Sequence, residues 1–431
     1  MPAAQRTKKK ERNRAVPLEP VRRHRSFPVR HLVAIAVIAG VAWIAYSNTF
    51  SVPFVFDDRP NIVENPNVQI KVFNWDQLER LIKNTYRETI RVFSYFTLAV
   101  NYYFGGFDVF GYHLVNFGIH VAAGIFLYAF LLLTFNLPSL KERYGPISYK
   151  VAVFASLIFI SHPIQTQSVT YIVQRMASMG GMFYLLSFVL YVKGRLSSRS
   201  PRLLFFGGAV FTYLVGVFSK ENVAILPLFV ALYEFYFFQN FDLGPKGKKM
   251  LYRIVLGVLL LGVLGAVLWG RRYIDVTVEG YQYRTFTMSE RVLTQFRVVL
   301  YYVTLLVYPH PSRLNLDYDF SISKTLSDPP TTLLSLLIIA ALIGYSVWTA
   351  KKRPVVSFFI LWYFGNLVIE SSIFPLEMVF EHRLYLPVVG PFVLFSLLTV
   401  RAIERLKEKW KTRSSNPRLK EKTSGLVRGG V

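Results

Sequence analysis

The sequence predicts an all-α polytopic membrane protein, a bundle of about 10-11 transmembrane helices with a long first outer loop. Hydrophobic residues make up 53% of the 431 positions and charged residues only 17%, whereas an average soluble domain is roughly 25% charged. Long apolar runs recur between His31 and Val400, and a helix needs about 20 apolar residues to cross the hydrocarbon core. The basic residues gather instead in the tails and in short links, as in a chain that threads a membrane repeatedly.

The two tails carry much of the net charge of +25. Residues 1–31 hold ten Lys/Arg against two Glu, and residues 401–431 hold ten against three. Cytoplasmic segments of membrane proteins are rich in Lys and Arg, so both tails are predicted to be cytoplasmic and to contact anionic lipid headgroups. No nucleic-acid recognition module accompanies this charge. The chain has no cysteine, which excludes disulfides, cysteine-zinc clusters and thiol nucleophiles.

The first span, about Leu32–Phe50, follows a basic tail and lacks a small-residue cleavage pattern, so we expect a retained helix with its amino end inside. The predicted first outer loop, 51–108, comes next. Apolar residues at helical spacing predict an amphipathic surface helix over about Val72–Asn84. The stretch Arg91–Phe104 is short and polar at its start, which predicts an interfacial or partly inserted helix.

Nine further spans complete a transmembrane module over 32–400. They are predicted at about Val109–Phe135, Val151–His162, Met176–Val192, Leu203–Phe218, Val223–Phe238, Ile254–Gly270, Thr331–Thr349, Val355–Ile369 and Leu384–Val400. The basic links between them alternate with neutral ones, as an inside amino terminus requires. The segment Glu290–Tyr308 carries Arg291, Gln295 and Arg297 in its apolar run and is predicted to be re-entrant or interfacial.

This topology places the uncommon polar residues at one face, the outer one. They are Asp57, Asp58, Arg91, His162, Arg175, Lys220, Glu221, Asp317, Glu381, Arg383 and Tyr385. Polar side chains near a membrane are costly unless they are paired or functional. Their gathering at a single face predicts a cavity at the outer leaflet.

The adjacent acids Asp57 and Asp58 are the strongest candidates for catalysis. Neighbouring carboxylates repel, and a helix cap needs only one, whereas acids with unequal pKa suit acid–base work or metal binding. Some other polar residues have a structural alternative. Lys220 and Glu221 could form a structural ion pair, as could Glu381 and Arg383. The stripe His113, Asn116 and His120 favours interhelical hydrogen bonding over metal ligation.

An ordered series of motifs resembles the transmembrane and tetratricopeptide-repeat O-mannosyltransferases and their bacterial relatives. The series covers about residues 30–400, and no single motif in it is decisive. It comprises Phe56-Asp57-Asp58-Arg59-Pro60-Asn61, Arg91 through Asn101-Tyr102, Gly105-Gly106-Phe107, Gly111-Tyr112-His113-Leu114-Val115-Asn116, His162-Pro163-Ile164-Gln165-Thr166-Gln167 with Arg175, Ser219-Lys220-Glu221, Asp317-Tyr318 and Glu381-His382-Arg383-Leu384-Tyr385.

The resemblance implies a C-type glycosyltransferase (GT-C) fold and an inverting transfer of sugar from a polyprenyl phosphate to a hydroxyl acceptor, with an acid of the first outer loop as general base. We therefore expect Asp57 or Asp58 to be the base, and the other to orient it or to bind the acceptor or a divalent ion. Lys220, Arg175 and Arg383 are predicted to hold the phosphate. Tyr385 and His162 are predicted to line the sugar pocket. Arg91, Glu221, Asp317 and Glu381 are further substrate-binding candidates.

The expected partners are a polyprenyl-phosphate-linked sugar, membrane lipids and a protein acceptor, at a bacterial inner membrane with the active site facing the periplasm. No certain cofactor is expected, and a divalent cation is left open. The family's repeat domain is expected to be absent, and Gln167 and Ser178 stand where relatives often carry acids. Three alternatives stay open: a lipid or glycan acceptor, a flippase for a lipid-linked sugar, and a non-catalytic scaffold.

Overall fold

The structure, a computed structural model, describes residues 28–414, leaving aside individual side chains within 199–276 and at 412–414. Most of each predicted tail, 1–27 and 415–431, therefore lies outside the described residues. The regular structure of the described part is helical. Its α-helices are α1 Val29–Tyr46, α2 Trp75–Glu88, α3 Val92–Gly105, α4 Val109–Phe135, α5 Lys141–Ser161, α6 Thr166–Val169, α7 Arg175–Leu196, α8 Arg199–Val217, α9 Leu226–Tyr233, α10 Pro245–Gly280, α11 Met288–Val307, α12 Thr331–Thr349, α13 Pro354–Leu367 and α14 Val389–Ser414. The chain divides into two compact units at Val37, and the helices from α2 onward all belong to the second unit.

Seven helical stretches among the described residues are long and apolar enough to cross a membrane, which confirms an all-α polytopic membrane protein. They are Val29–Tyr46, Val109–Phe135, Lys141–Ser161, Ile172–Leu196, Ser200–Val217, Glu221–Phe238 and Thr331–Thr349. The remaining predicted spans fall in α10, α13 and α14. Helix α13 has 14 residues, and α14 begins at Val389 rather than Leu384 because a 3-10 turn precedes it.

Two helix ends extend beyond their apolar runs, contrary to the prediction. Helix α5 begins at Lys141 rather than Val151, and α14 continues to Ser414, beyond the predicted end of the last span at Val400. The ion pair of Lys150 with Glu404, 2.7 Å long, joins the two extensions. Polar contacts between helices thus continue both elements past the point where hydropathy changes.

The first loop contains the predicted surface helix, displaced along the chain. Helix α2 begins after Asn74, whose side chain accepts a hydrogen bond from the Gln77 N–H at 3.0 Å. Such an N-cap satisfies a backbone donor that has no partner within the helix. The cap therefore starts the helix three positions later than its apolar pattern does, since Val72 precedes it.

The interior of the bundle is aromatic and centres on Trp362 of α13. Its ring lies 5.3 to 5.9 Å, centroid to centroid, from four rings on α4, α7 and α9. These are Phe130, Tyr184, Phe188 and Phe229. The indole N–H donates to the Leu386 carbonyl at 2.9 Å. Aromatic packing of this kind fixes helices in a bilayer, where the hydrophobic effect does not drive one helix against another.

Gly390 is the closest approach of α14 to α13, and it supports a stability prediction. A Cβ built there would lie 2.3 Å from the carbonyl oxygen of Phe359, a backbone atom that has little room to move. We expect Gly390→Ala to destabilise the protein by about 1–3 kcal/mol through overpacking. The measurement is thermal unfolding of the purified protein in detergent. The control is Gly344→Ala in α12, where nothing lies within 4 Å of the added methyl; equal melting temperatures for both variants would contradict this packing.

Contacts among the loops distinguish two ends of the bundle. At one end the basic links meet: the Arg143 guanidinium donates to the Lys352 carbonyl, and Lys150 pairs with Glu404. At the other end the loops that carry the candidate site residues meet, and we call this the loop end. Helix α11 is unbroken, and its Arg291 is buried toward the loop after α13 rather than exposed to lipid.

Candidate active site

Hydrogen bonds between segments far apart in sequence hold the loop end together. The Asp57 N–H donates to the Tyr171 hydroxyl oxygen at 2.7 Å, joining the first loop to the start of α7. The Gln167 amide donates to the Asn315 carbonyl at 2.8 Å, joining the loop after α5 to the loop after α11. Most of the predicted site residues lie on these loops, so the fold brings together what the chain separates.

Asp58 is an internal anchor of the first loop. It is fully buried, and its two carboxylate oxygens accept hydrogen bonds from Val55 N–H at 3.0 Å and Val173 N–H at 2.7 Å. Burial raises the pKa of Asp58 to about 6, although the backbone donors oppose the shift. Both oxygens are therefore engaged in holding the loop against the amino end of α7.

Asp57 lies in a different environment from its neighbour. Phe56, just before it, has a φ of 45°, a left-handed conformation that non-glycine residues rarely adopt and that neighbouring contacts must hold in place. The main chain of Asp57 is fixed, since Asn61 Nδ2 donates to its carbonyl at 2.7 Å. Its residue surface is half-buried rather than enclosed. The adjacent acids thus differ in burial: Asp58 is enclosed, whereas Asp57 is partly exposed.

Charged groups concentrate beside this loop in a set that we call the cation cluster. It consists of Arg91, Lys220, Arg291 and Arg383 with the carboxylates Glu221 and Glu370. A hydrogen-bonded chain links it to the first loop: Asn61 accepts from the Tyr95 hydroxyl, and Tyr95 N–H donates to the Arg91 carbonyl one turn away on α3.

The ion pairs in the cation cluster differ from the predicted alternative. Arg91 Nε lies 2.8 Å from Glu221, and Lys220 Nζ lies 2.9 Å from Glu370. Lys220 and Glu221 therefore do not pair with each other. The backbone explains why: Lys220 is extended, and Glu221 opens a 3-10 turn, so consecutive side chains diverge.

Positive charge exceeds negative charge in the cation cluster, and some of its donors lack partners. Its four cations face two carboxylates. Arg383 and His382 are more than nine-tenths buried, and Arg383 Nε and His382 Nδ1 have no hydrogen-bond partner. Lys220 Nζ, an ammonium with three N–H donors, lies 2.9 Å from the Glu370 carboxylate. Unsatisfied buried donors beside excess positive charge indicate an anion site.

Glu381 forms a buried contact with the loop after α11. Its carboxylate accepts from Asn315 N–H at 2.8 Å and from the Tyr318 hydroxyl at 2.6 Å. Burial raises the pKa of Glu381 to about 7. The alternative of an ion pair between Glu381 and Arg383 is wrong, because Arg383 donates to the Met378 carbonyl and lies over the Phe380 ring. Glu381 therefore fixes the segment that carries Asp317.

A cleft of about 180 Å³ lies beside this segment. Its lining includes Asp317, Tyr318, Asp319, Phe320, Glu377 and Phe380. Met378 and Phe380, on its wall, are the two residues that Arg383 contacts. The cleft thus combines carboxylates and aromatic rings, and it adjoins the cation cluster through Arg383.

Three predicted site residues are engaged in hydrogen bonds within the protein. Arg175 is fully buried and donates to Asn116 Oδ1, the Thr97 carbonyl and the Tyr112 carbonyl at 2.6 to 3.1 Å. Lys220 and Arg383 both act on the Glu370 carboxylate, whereas Arg175 points between α3 and α4.

The histidines and Tyr385 have similar internal partners. The Tyr385 hydroxyl lies 2.9 Å from His120 Nδ1, and His162 Nε2 lies 3.1 Å from the Leu306 carbonyl. The stripe of α4 makes interhelical hydrogen bonds, as predicted. Within residues 28–414 no group of three or more His, Asp or Glu side chains could hold a metal ion.

Sequence reasoning missed Glu370 and the role of Gln167. Glu370 ends an apolar run and belongs to no motif, so its position after a predicted span was its one signal. In the sequence, Gln167 is notable only because proteins of the resembled family often carry an acid at this position. Its Oε1 accepts from His382 N–H at 3.2 Å while its amide donates to Asn315, so it bridges two loops of the site.

The raised pKa of Asp58 predicts a pH dependence of stability. Its pKa rises from 3.8 in the unfolded chain to about 6 in the folded protein, so the folded state keeps a proton that the unfolded state has lost. The contribution of the Asp58 proton to the stability of the folded protein is complete below the pKa of the unfolded chain, 3.8. It is lost as the pH rises through the pKa of the folded protein, about 6. We expect the melting temperature of the wild type to fall more steeply between about pH 4 and 6 than that of Asp58→Asn. Glu381 contributes with the same sign in both proteins, so parallel curves would contradict the assignment to Asp58.

The fold is that of a polytopic α-helical membrane protein, and one end of its bundle holds a cluster of buried cations and a partly exposed acid, Asp57. The chain is similar to protein O-mannosyl-transferases of the TMTC group, in agreement with the resemblance that its motifs carry. It is 31% identical over 166 residues to human protein O-mannosyl-transferase TMTC4, covering 36% of this chain and 22% of the relative. It is 24% identical over 320 residues to Caenorhabditis elegans protein O-mannosyl-transferase F38B6.6, covering 70% and 41%. It is 25% identical over 448 aligned positions to Drosophila melanogaster protein O-mannosyl-transferase Tmtc3, covering 89% of this chain and 47% of the relative.

The chain spans less than half the length of each of these relatives. No protein-family profile and no solved structure matches it.

Proposed function

We propose that this protein transfers a sugar from a polyprenyl-phosphate donor to a hydroxyl group of a protein at the outer face of a membrane, with inversion at the sugar. The observation that carries the proposal is the excess of buried positive charge, with unpartnered donors, close to a carboxylate that a ligand can reach. The names of the relatives support the same reaction class. We place the site at the periplasmic face of a bacterial inner membrane, with both termini cytoplasmic, because the basic links gather at the opposite end.

The cation cluster would hold the phosphate of the donor. Lys220 and Arg383 have donors without aligned partners, and Arg91 and Arg291 add positive charge around them. During transfer, the bond between the sugar and this phosphate breaks, and the phosphate gains negative charge. Preorganised cations in a site that excludes water stabilise such charge without reorganising. No strong acid is needed, since a phosphate is already a good leaving group.

Asp57 would be the general base. It would take the proton of the acceptor hydroxyl while the oxygen attacks the anomeric carbon of the sugar. The bond from that carbon to the phosphate oxygen breaks, and its electron pair stays on the phosphate. Asp58 supports this step by fixing the loop, since both of its oxygens accept backbone hydrogen bonds.

The cleft beside Asp317 would take the sugar. Carboxylates bind hydroxyl groups and aromatic rings pack against sugar rings, and this cleft offers both. Arg383 lies against its wall, which would place the sugar next to the phosphate. The acceptor would approach along α2, the surface helix of the first loop.

The test uses the full chain in lipid nanodiscs with a polyprenyl phosphate carrying radiolabelled mannose and a Ser/Thr-rich acceptor peptide. We expect label on the peptide and an equal amount of free polyprenyl phosphate. Label on a lipid or glycan would contradict a protein acceptor. In proteoliposomes, movement of the intact donor between leaflets without release of lipid phosphate would indicate a flippase and overturn the proposal.

A further inference from the structure

Glu370 occupies the centre of the cation cluster. Its side chain is about nine-tenths buried: one oxygen lies 2.9 Å from Lys220 Nζ, and the other accepts from Asn222 Nδ2 at 3.1 Å. Its main-chain carbonyl accepts from Arg291 at 2.9 Å. Burial would raise the pKa of Glu370, but Lys220, Arg383 and Arg91 hold it below its ordinary value. The side chain is therefore a carboxylate that the cluster binds as it would bind an anion from solution.

The net charge of the cation cluster can be compared with the charge of the donor and with that of the lipid product. Four cations and two carboxylates leave an excess of two positive charges. A sugar phosphodiester carries one negative charge, whereas a phosphate monoester carries about 1.5 to 2 at neutral pH. With Glu370 ionised the excess is therefore no larger than the charge of the product, whereas without the Glu370 charge it would rise to three positive charges and hold the product more tightly.

We propose that Glu370 is a resident anion of the phosphate site, which pairs with Lys220 when the site is empty and repels the lipid monophosphate so that it leaves after transfer. The inference rests on the proposed function. Glu370 acts through Lys220 and through its charge, so it is a positioning residue and takes no part in breaking or forming bonds.

The experiment measures binding of farnesyl phosphate, a short isoprenyl monophosphate, to the full chain in nanodiscs, with farnesol as the uncharged comparison. We expect Glu370→Gln to bind farnesyl phosphate about ten-fold more tightly than the wild type, because a like charge is removed from the site. Farnesol binding should be unchanged. Glu370→Asp keeps the charge and should bind farnesyl phosphate as the wild type does.

Turnover supplies a second measurement. Glu370→Gln should lower kcat and the KM for the donor together, and a burst of product should precede the steady state, because release of lipid phosphate becomes slow. A purely structural role would instead lower the single-turnover rate and weaken binding. Equal or weaker binding of farnesyl phosphate by Glu370→Gln overturns the inference.

A second variant covers the case in which Glu370→Gln does not fold. Asn222→Ala removes the hydrogen bond to Glu370 but no charge, so the carboxylate is displaced more easily and farnesyl phosphate should bind about two- to three-fold more tightly. No change, or weaker binding, overturns the inference.

If Glu370→Gln binds farnesyl phosphate more tightly but the wild type transfers no sugar, the proposed function fails and the anion site stands. If the wild type transfers sugar but neither variant changes binding, only the role of Glu370 fails.

Discussion

Asp57→Asn is expected to lower the rate of sugar transfer by about 10²–10⁴-fold, the range that a general base contributes. Asparagine keeps the shape of the side chain, but it cannot take a proton from the acceptor hydroxyl. The main-chain hydrogen bonds of Asp57 with Tyr171 and Asn61 are kept in the variant, and the asparagine side chain can still hydrogen-bond the Tyr171 hydroxyl that the carboxylate contacts, so the loop should keep its conformation. Donor binding, measured by equilibrium binding of the labelled lipid-linked sugar, should stay within about two-fold, because the phosphate is held by other residues.

Two variants of the same loop are the controls for Asp57→Asn. Glu64→Gln removes a carboxylate that forms only an exposed pair with Arg59 at 3.5 Å, and it should leave transfer unchanged. Asp58→Asn should lower the melting temperature, because an amide cannot accept both backbone hydrogen bonds. It should retain a larger share of the transfer rate per folded molecule than Asp57→Asn. If Asp57→Asn transfers at the native rate while Asp58→Asn is inactive but folded, the roles of the two acids are reversed.

Lys220→Gln is expected to destabilise the protein by about 3–5 kcal/mol, the typical result of removing one partner of a buried ion pair. Lys220 and Glu370 lie 2.9 Å apart with side-chain exposures of 4% and 10%, so water cannot replace the missing charge. The variant should also lose most of its affinity for the donor, because a cation that faces the phosphate is gone. Chemical unfolding followed by circular dichroism and equilibrium binding of the donor measure the two effects.

The double variant Lys220→Gln, Glu370→Gln separates these two effects. It should recover much of the stability, since no buried charge is left without a partner, but it should not recover donor affinity. Lys83→Gln is the matched surface control: Lys83 forms an exposed pair with Glu79 on α2, a contact worth about 0.3–0.5 kcal/mol. A similar small loss for Lys220→Gln would show that the pair with Glu370 does not carry the stability of this site.

The transmembrane core could be predicted because hydropathy reports on each span by itself. Spans such as Val109–Phe135 and Thr331–Thr349 match their helices at both ends. Boundaries failed where a contact between distant residues decides them, as at Lys150 with Glu404, which extends α5 and α14 beyond their apolar runs. The ends of α2 were displaced because a single cap at Asn74 outweighs the apolar pattern.

The sequence predicted which loops form the candidate site more reliably than it predicted the contacts of each residue in them. Lys220 and Arg383 both lie near Glu370, but Arg175 donates to carbonyls of α3 and α4. The direction of a side chain at a helix start depends on the neighbouring helices, and its own sequence does not contain that information. For the same reason Glu370, which belongs to no motif, was missed.

The sequence by itself determined that this is an all-α membrane protein and which loops carry its polar residues, because the free energy of placing a segment in lipid is a sum over that segment's own residues. It could not distinguish Asp57 from Asp58, or find the partner of Lys220. The tertiary structure distinguishes the two acids by burial and gives Lys220 its partner, because burial and charge pairing depend on groups far away in the chain. The Val173 N–H donates to the buried Asp58, and Glu370 pairs with Lys220.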